Sequence, residues 1–298
     1  MFSTRQLILD TDIGSDVDDA MALALILGTP SLELVATHTV YGDTRLRARL
    51  ARRYGALAGR DLTVVAGTAE PLSGREVWWP GHEGTLHDDL ESETFAPGSA
   101  PEDLVARLQA NPGELDVVAI GPLTNLAAAL ELEPQVAQWI RHLWVMGGHF
   151  GADAKPEHNF KSDHVAARTV LTAGIPTTIT AIEITQQVTI GADLLQRIRA
   201  AGALGAALGA DIEQWWAYWK ETWNVPHDPI AVLTLSRPDL FTLSPRGRIT
   251  IADDGLSTFA PDPTGTVRIV TELDTAAAAE EITARIVAAS GETDGDGS

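Results

Sequence analysis

Short apolar runs alternate with helix-patterned segments through the first two thirds of this 298-residue chain, and that alternation restricts the fold more than any other feature. The runs are Leu7–Leu9, Leu34–Thr37, Leu62–Ala66, Leu115–Ile120, Leu143–Met146 and Thr177–Ile184, each short enough for a strand. Segments such as Arg45–Ala58 and Asn125–Leu132 lie between them. Apolar strands separated by helices do not pair as hairpins; they form a parallel sheet covered on both faces. The expected architecture is therefore α/β, an open, mostly parallel, Rossmann-like sheet with helices on both sides. After Asp239 the pattern changes to two strands of antiparallel character, Gly247–Ala252 and Thr266–Thr271, and a closing helix, Ala276–Ala289. No linker or internal repeat interrupts the chain, which predicts one domain over residues 1–290 and a small, acidic, disordered tail at 291–298.

In such sheets ligands bind beyond the carboxyl ends of the strands. Here those ends carry Asp10–Asp19, Tyr41-Gly42-Asp43-Thr44, Gly121-Pro122-Leu123-Thr124-Asn125 and Gly147-Gly148-His149, turns that should converge on one crevice. The first of them holds Asp10, Asp12, Asp16, Asp18 and Asp19 between two apolar stretches, with no Lys or Arg from Gln6 to Thr44. Buried carboxylates need a compensating charge. A hard divalent cation is the simplest, and oxygen-only ligands favour Ca²⁺ or Mg²⁺ over zinc or copper. Gly14 would let the chain turn between Asp12 and Asp18, and Asp18-Asp19 suit the positive end of the next helix.

The balance of 21 Lys+Arg against 41 Asp+Glu, net charge −20, disfavours nucleic acid and anionic membranes as partners. Cysteine is absent, so thiolate metal sites and cysteine nucleophiles are excluded. Without an apolar leader or a stretch of about eighteen apolar residues, the expectation is a soluble cytoplasmic protein. Two aromatic clusters remain: Trp78-Trp79 in a long loop, and Trp215, Trp216, Tyr218, Trp219 and Trp223 on a helix within Ile212–Pro229. They could pack the core or stack on a flat ligand.

Five motifs in order, Leu9-Asp10-Thr11-Asp12-Ile13-Gly14 with Asp18-Asp19-Ala20, Gly121-Pro122-Leu123-Thr124-Asn125, Val145-Met146-Gly147-Gly148, Glu157-His158-Asn159 and His227-Asp228-Pro229, resemble the inosine–uridine-preferring nucleoside hydrolase family over roughly Leu7 to Val232. The resemblance implies an open α/β fold and hydrolysis of the N-glycosidic bond of ribonucleosides, with one Ca²⁺ bound at the pocket floor in a homodimer or homotetramer. It implies that Asp12 is a Ca²⁺ ligand and the general base, with Asp19, the main-chain carbonyl of Thr124 and Asp228 as further ligands. Asp10 would support the cluster. Asp18 would bind the ribose 2′-hydroxyl, Asn159 the ribose diol, Glu157 the 5′-hydroxyl, and Asp228 the sugar as well as the metal. His227 would face the base or help protonate it. Trp78 or Trp79 on one side, and Trp219 or Trp223 on the other, would stack the base.

The chain departs from the family's usual pattern in three places. Ser15-Asp16-Val17 lengthens the first motif, which leaves Asp16 and Asp18 as alternatives for the sugar role. Asp43 stands where an asparagine is usual and would place an extra carboxylate beside the sugar. Phe150–Pro156 is short, leaving Asp153 as the candidate second 5′-hydroxyl ligand. Two rival readings are a Mg²⁺-dependent haloacid-dehalogenase-like phosphatase starting at Asp10, and an inactive nucleoside-binding protein of the same fold. The first needs a lysine at the phosphate, and the chain has only Lys155, Lys161 and Lys220. His82, His87 and His164 read as structural; Arg45, Arg47, Arg49, Arg52 and Arg53 read as a solvated helix face or subunit contact.

Overall fold

The computed structural model describes residues 4–290; the tail at 291–298 lies outside them. Six parallel strands carry the first part of the chain: β1 (Arg5–Thr11), β2 (Leu32–Thr39), β3 (Val64–Ala66), β4 (Asp116–Ala119), β5 (His142–Met146) and β6 (Thr177–Thr180). Then come β7 (Phe241–Leu243), β8 (Gly247–Ile251), β9 (Ser257–Pro261) and β10 (Val267–Leu273). The sheet runs β3-β2-β1-β4-β5-β6-β10-β8-β9, with β7 against β10. β10 joins β6 in parallel, whereas β7, β8 and β9 pair antiparallel. The fold is α/β with a mostly parallel central sheet, as the alternating pattern requires.

The strand period of two sorts the core. Leu7 and Leu9 of β1 enter one buried cluster with the helices Asp18–Leu27, His227–Ser236 and Thr275–Ala289. Ile8 enters the other with the helices Ala100–Ala110, Thr124–Leu132 and His164–Leu171. Each face of the sheet is thus covered by helices, which is why its strands read as continuous apolar runs. No helix among the described residues is long and apolar enough to cross a membrane.

The Thr177–Ile184 run is a strand only as far as Thr180, after which Ile182–Thr185 turns into a short helix. Apolar composition does not mark where a ladder stops. The aromatic helix is Gly202–Trp219 and ends at Lys220, whose φ of 59° breaks the helical path; Trp223 lies beyond it, and His227 opens a separate helix. The strand β9 had no signal of its own. The order reverses between β1 and β4, since β2 and β3 extend to one side and β5 and β6 to the other, and a crevice opens at such a reversal.

Candidate active site

A cavity of roughly 640 Å³ sits at that reversal, lined by residues from the carboxyl ends of the central strands. Asp12, Asp16, Asp18 and Asp19 come from the turn after β1, Ile120 follows β4, and Met146 ends β5. Gly14 makes the turn, with φ of 118°, and a Cβ there would meet Leu50 Cδ1 at 2.7 Å. Gly121 leaves room for the Asp12 carboxylate: a Cβ there would stand 2.6 Å from Asp12 Oδ1.

The arginines of the helix Thr44–Leu57 do not share one solvated face. Arg47 is fully buried beneath the turn. Its guanidinium donates to the carbonyl oxygens of Asp12, of Ile13 at 2.9 Å and of Tyr41 at 2.7 Å, and to Ser15 Oγ at 3.1 Å. The helical period explains it: Arg45, Arg49, Arg52 and Arg53 fall in one arc, while Arg47 lies about 200° from Arg45. That places it on the stripe of Leu50, Ala51 and Tyr54. The turn therefore has a cation of its own, supplied from outside the Gln6–Thr44 stretch.

Asp18 and Asp19 open the helix Asp18–Leu27, and Asp228 stands in the first turn of His227–Ser236. Each offers a carboxylate oxygen within 4.8 Å of the others, and all three are buried. Asp19 Oδ1 accepts from Thr11 Oγ1, and Asp18 Oδ2 from the Asp228 N–H at 3.3 Å. Burial, then repulsion from Asp16, lifts Asp18 well above the ordinary carboxylate range; burial, then Asp12, lifts Asp19; burial, then Asp18 and Asp19, lifts Asp228. Asp12 is also raised by burial, against the pull of Arg47. Asp16 is pushed to about 8 and Asp10 to about 7, both by burial first. Asp10 lies behind the cavity with Oδ2 on Asn125 at 2.8 Å and Oδ1 without a partner. One arginine that mostly holds carbonyls does not neutralise this set. Hard oxygen donors crowded and desolvated in this way fit a divalent cation.

Around them, Asn159 Nδ2 donates to Ile120 O at 2.8 Å and Met146 O at 3.2 Å. Both amide protons are thereby directed at the two strand ends, which leaves Oδ1 to accept from a ligand. Glu157 also lines the cavity, but its carboxylate caps the helix His158–Ser162 and holds the glycine turn, accepting from Asn159 N, Phe160 N and Gly148 N. His227 lines the cavity with Nδ1 2.6 Å from Thr185 Oγ1, and burial lowers its pKa to about 4. Trp78, Trp215 and Trp219, with Tyr41, form the aromatic part of the wall.

Five expected contacts are not on that wall, among them Asp153, which is exposed. Asp43 is exposed and caps Thr44–Leu57, accepting from Leu46 N at 2.9 Å; a turn that begins a helix uses its aspartate for the free N–H groups. Trp79 stacks on Arg47, whose guanidinium carbon is 4.8 Å from the ring centroid. Trp223, beyond the helix end, is 42 % exposed and outside the cavity. Thr124 is buried behind it, its hydroxyl given to Asp163 at 2.7 Å. Sequence reasoning missed Thr185, which sits in no motif; Trp215 belonged to the aromatic cluster read as core or stacking surface, but the base stack was assigned to Trp219 or Trp223. His82 braces the turn through Ser15 O at 2.7 Å.

The sequence profile of the inosine-uridine preferring nucleoside hydrolases matches residues 7–280. The chain belongs to that family. It is an enzyme, a nucleoside hydrolase, and the phosphatase reading lapses. It is 31% identical to probable uridine nucleosidase 2 of Arabidopsis thaliana over 80% of this chain and 79% of the relative. The non-specific ribonucleoside hydrolase RihC of Escherichia coli is 31% identical over 80% of this chain and 81% of its own. A solved plant nucleoside hydrolase superposes with TM-score 0.84 at 27% identity, covering 95% of this chain and 99% of its own. The nucleoside hydrolase thus shares family and fold with enzymes of differing substrate range.

Proposed function

We propose that the protein hydrolyses the N-glycosidic bond of ribonucleosides around one bound Ca²⁺, releasing ribose and free base. The observation that carries this reading is that Asp12, Asp18, Asp19, Asp228, Asn159 and His227 line one cavity together with Trp78, Trp215 and Trp219. Asp12, Asp19 and Asp228 would hold the cation; Thr124, behind the wall, would reach it only through its main-chain carbonyl. A flexible, oxygen-only, carboxylate-rich set suits Ca²⁺ better than the strict octahedron of Mg²⁺. When bound, the cation would supply a water of lowered pKa at a fixed position.

The chain's own groups account for the rest. Asp12 accepts the proton of the attacking water as the bond from that oxygen to C1′ forms. The C1′–N bond breaks with its electron pair going to the base, and the sugar becomes cationic in the transition state. The carboxylates of Asp18 and Asp228 stabilise that charge more than they stabilise the ground state. Asn159 Oδ1 accepts from a ribose hydroxyl and holds C1′ beside the water. Glu157 would accept from the 5′-hydroxyl, Asp16 remains the alternative to Asp18 at the 2′-hydroxyl, and the tryptophans hold the base while His227 faces it as a hydrogen-bond donor.

Incubation with inosine, uridine and p-nitrophenyl phosphate, with free ribose and phosphate as readouts, tests the reading. Ribose from a nucleoside and no phosphate is expected; no ribose from any nucleoside would overturn it and leave the inactive nucleoside-binding protein.

A further inference from the structure

Thr185 is fully buried, and its hydroxyl has one proton and two neighbours able to accept it. One is the carbonyl of Ile182 at 3.1 Å, which already accepts the Gln186 N–H at 3.0 Å. The other is His227 Nδ1 at 2.6 Å, a separation at the short end for a hydrogen bond of this kind. If the hydroxyl gave its proton to Ile182 it would have to accept from an Nδ1–H at 2.6 Å, shorter than N–H···O bonds adopt but within the range of O–H donors, so the hydroxyl donates to Nδ1. That choice determines the other edge of the ring. In a neutral imidazole one nitrogen accepts and the other donates. With Nδ1 accepting from Thr185, Nε2 carries the hydrogen, and it is the nitrogen left to face the cavity.

We propose that Thr185 is a positioning residue that locks His227 as the Nε2–H tautomer, so that a donor is aimed at the departing base before any proton moves. This deepens the hydrolase reading and rests on it, because the donor has a use only where a base leaves. When the C1′–N bond breaks, the Nε2–H donates a hydrogen bond to the base nitrogen and stabilises the electron pair that collects there; the base then takes its proton from solvent, and the neutral ring keeps its own.

The tautomer can be read without turnover. In the full-length protein with ¹⁵N-labelled histidine, the His227 ring signals, assigned by their loss in His227→Gln, should show the Nε2–H pattern. Thr185→Val should shift them toward the other tautomer, and Thr185→Ser should retain them. An Nδ1–H pattern in the wild type, or a pattern unchanged in Thr185→Val, overturns the proposal, and the wild-type spectrum decides even if the valine variant does not fold. Kinetically, Thr185→Val should lower the ratio of inosine turnover to p-nitrophenyl riboside turnover about 10-fold, since p-nitrophenolate leaves without a proton. Thr185→Ser should restore that ratio to within about 2-fold. Equal losses on both substrates would reduce Thr185 to a packing residue. If the wild type releases ribose from neither substrate, the hydrolase reading fails, while the spectra still decide the tautomer.

Discussion

Buried aspartates stand at both ends of the central strands, and the two ends treat them in opposite ways. At the amino end, Asp116 of β4 is fully buried and is met by Arg5 at 2.9 Å and by Arg141, whose Nε lies 3.1 Å from its second oxygen. At the carboxyl end, Arg47 acts on Asp12 and Asp19 through its charge alone, most of its donors going to backbone carbonyls, and Asp18 and Asp228 have no arginine against them. Fold stability favours the first arrangement, because an unpaired buried charge destabilises by several kcal/mol. Under the proposed function, the second would persist because a bound cation and a positively charged transition state offset it. The difference identifies the working end of the sheet without reference to any motif.

One pair of substitutions breaks the comparison most directly. Asp12→Asn should lower ribose release about 10²- to 10⁴-fold, the range for loss of a general base, while thermal unfolding of the cation-free protein stays close to the wild type. Asp116→Asn should do the reverse: stability falls by about 3 kcal/mol, the low end for a broken buried pair since both arginines keep some solvent contact, and the folded fraction keeps its kcat. Chemical denaturation and single-substrate kinetics on both variants check this. If Asp116→Asn impairs turnover as severely as Asp12→Asn, the division between the ends does not hold.

Cation removal should act on one end only. Chelation abolishes turnover and lowers the melting temperature, and Ca²⁺ restores about 2.7 kcal/mol at a concentration 100 times its Kd. The restored increment should vanish in Asp19→Asn and remain in Asp116→Asn. Calcium titrations that stabilise both variants equally would place the ion elsewhere.

The rim of the working end sets a smaller effect. Trp219 lines the cavity yet is 54 % exposed, and meets Trp215 edge-on at 5.7 Å and Tyr218 edge-on at 5.2 Å. Stacking of a base there is worth about 0.5–1.5 kcal/mol, so Trp219→Ala should raise KM about 2- to 10-fold and leave kcat nearly unchanged. A fall in kcat with KM unaltered would mean that the ring acts in the transition state instead of holding the base.

What the sequence disclosed follows from how local each signal is. The alternation of strands and helices and the Asp10–Asp19 turn are written in consecutive residues, so the sheet and the acidic floor were legible. Arg47 is legible in principle, from its place on the stripe of Leu50, Ala51 and Tyr54, but an arginine-rich helix reads by composition as a charged surface. Asp43 misled because its turn does lie at the right edge of the sheet; whether such an aspartate faces a ligand or caps a helix depends on where the next N–H groups point. Thr185 carried no signal, since a threonine ending a short helix acquires its role only when His227 folds against it from 42 residues away.

The smallest effect distinguishes the two ends by pH. His142 begins β5 at the paired end, half-buried beside Trp144 and 2.9 Å from Thr178 Oγ1. Burial lowers its pKa to about 4, with Arg5 and Arg141 adding to the effect and Asp116 opposing it. The unfolded chain holds the proton from about 6.5 downward, while the folded protein resists it until about 4. Stability from this group is therefore complete above pH 6.5 and is lost as the pH falls from there to about 4. Screening at a half-buried ring limits the loss to about 1 kcal/mol. His142→Gln cannot take up a proton and should flatten that part of the stability profile while leaving the pH dependence of ribose release unchanged, because the group lies at the end of the sheet opposite the cavity. Parallel profiles for wild type and variant between pH 7 and 4, measured by denaturation at fixed Ca²⁺, would show that the ring is as hydrated in the folded protein as in the unfolded chain.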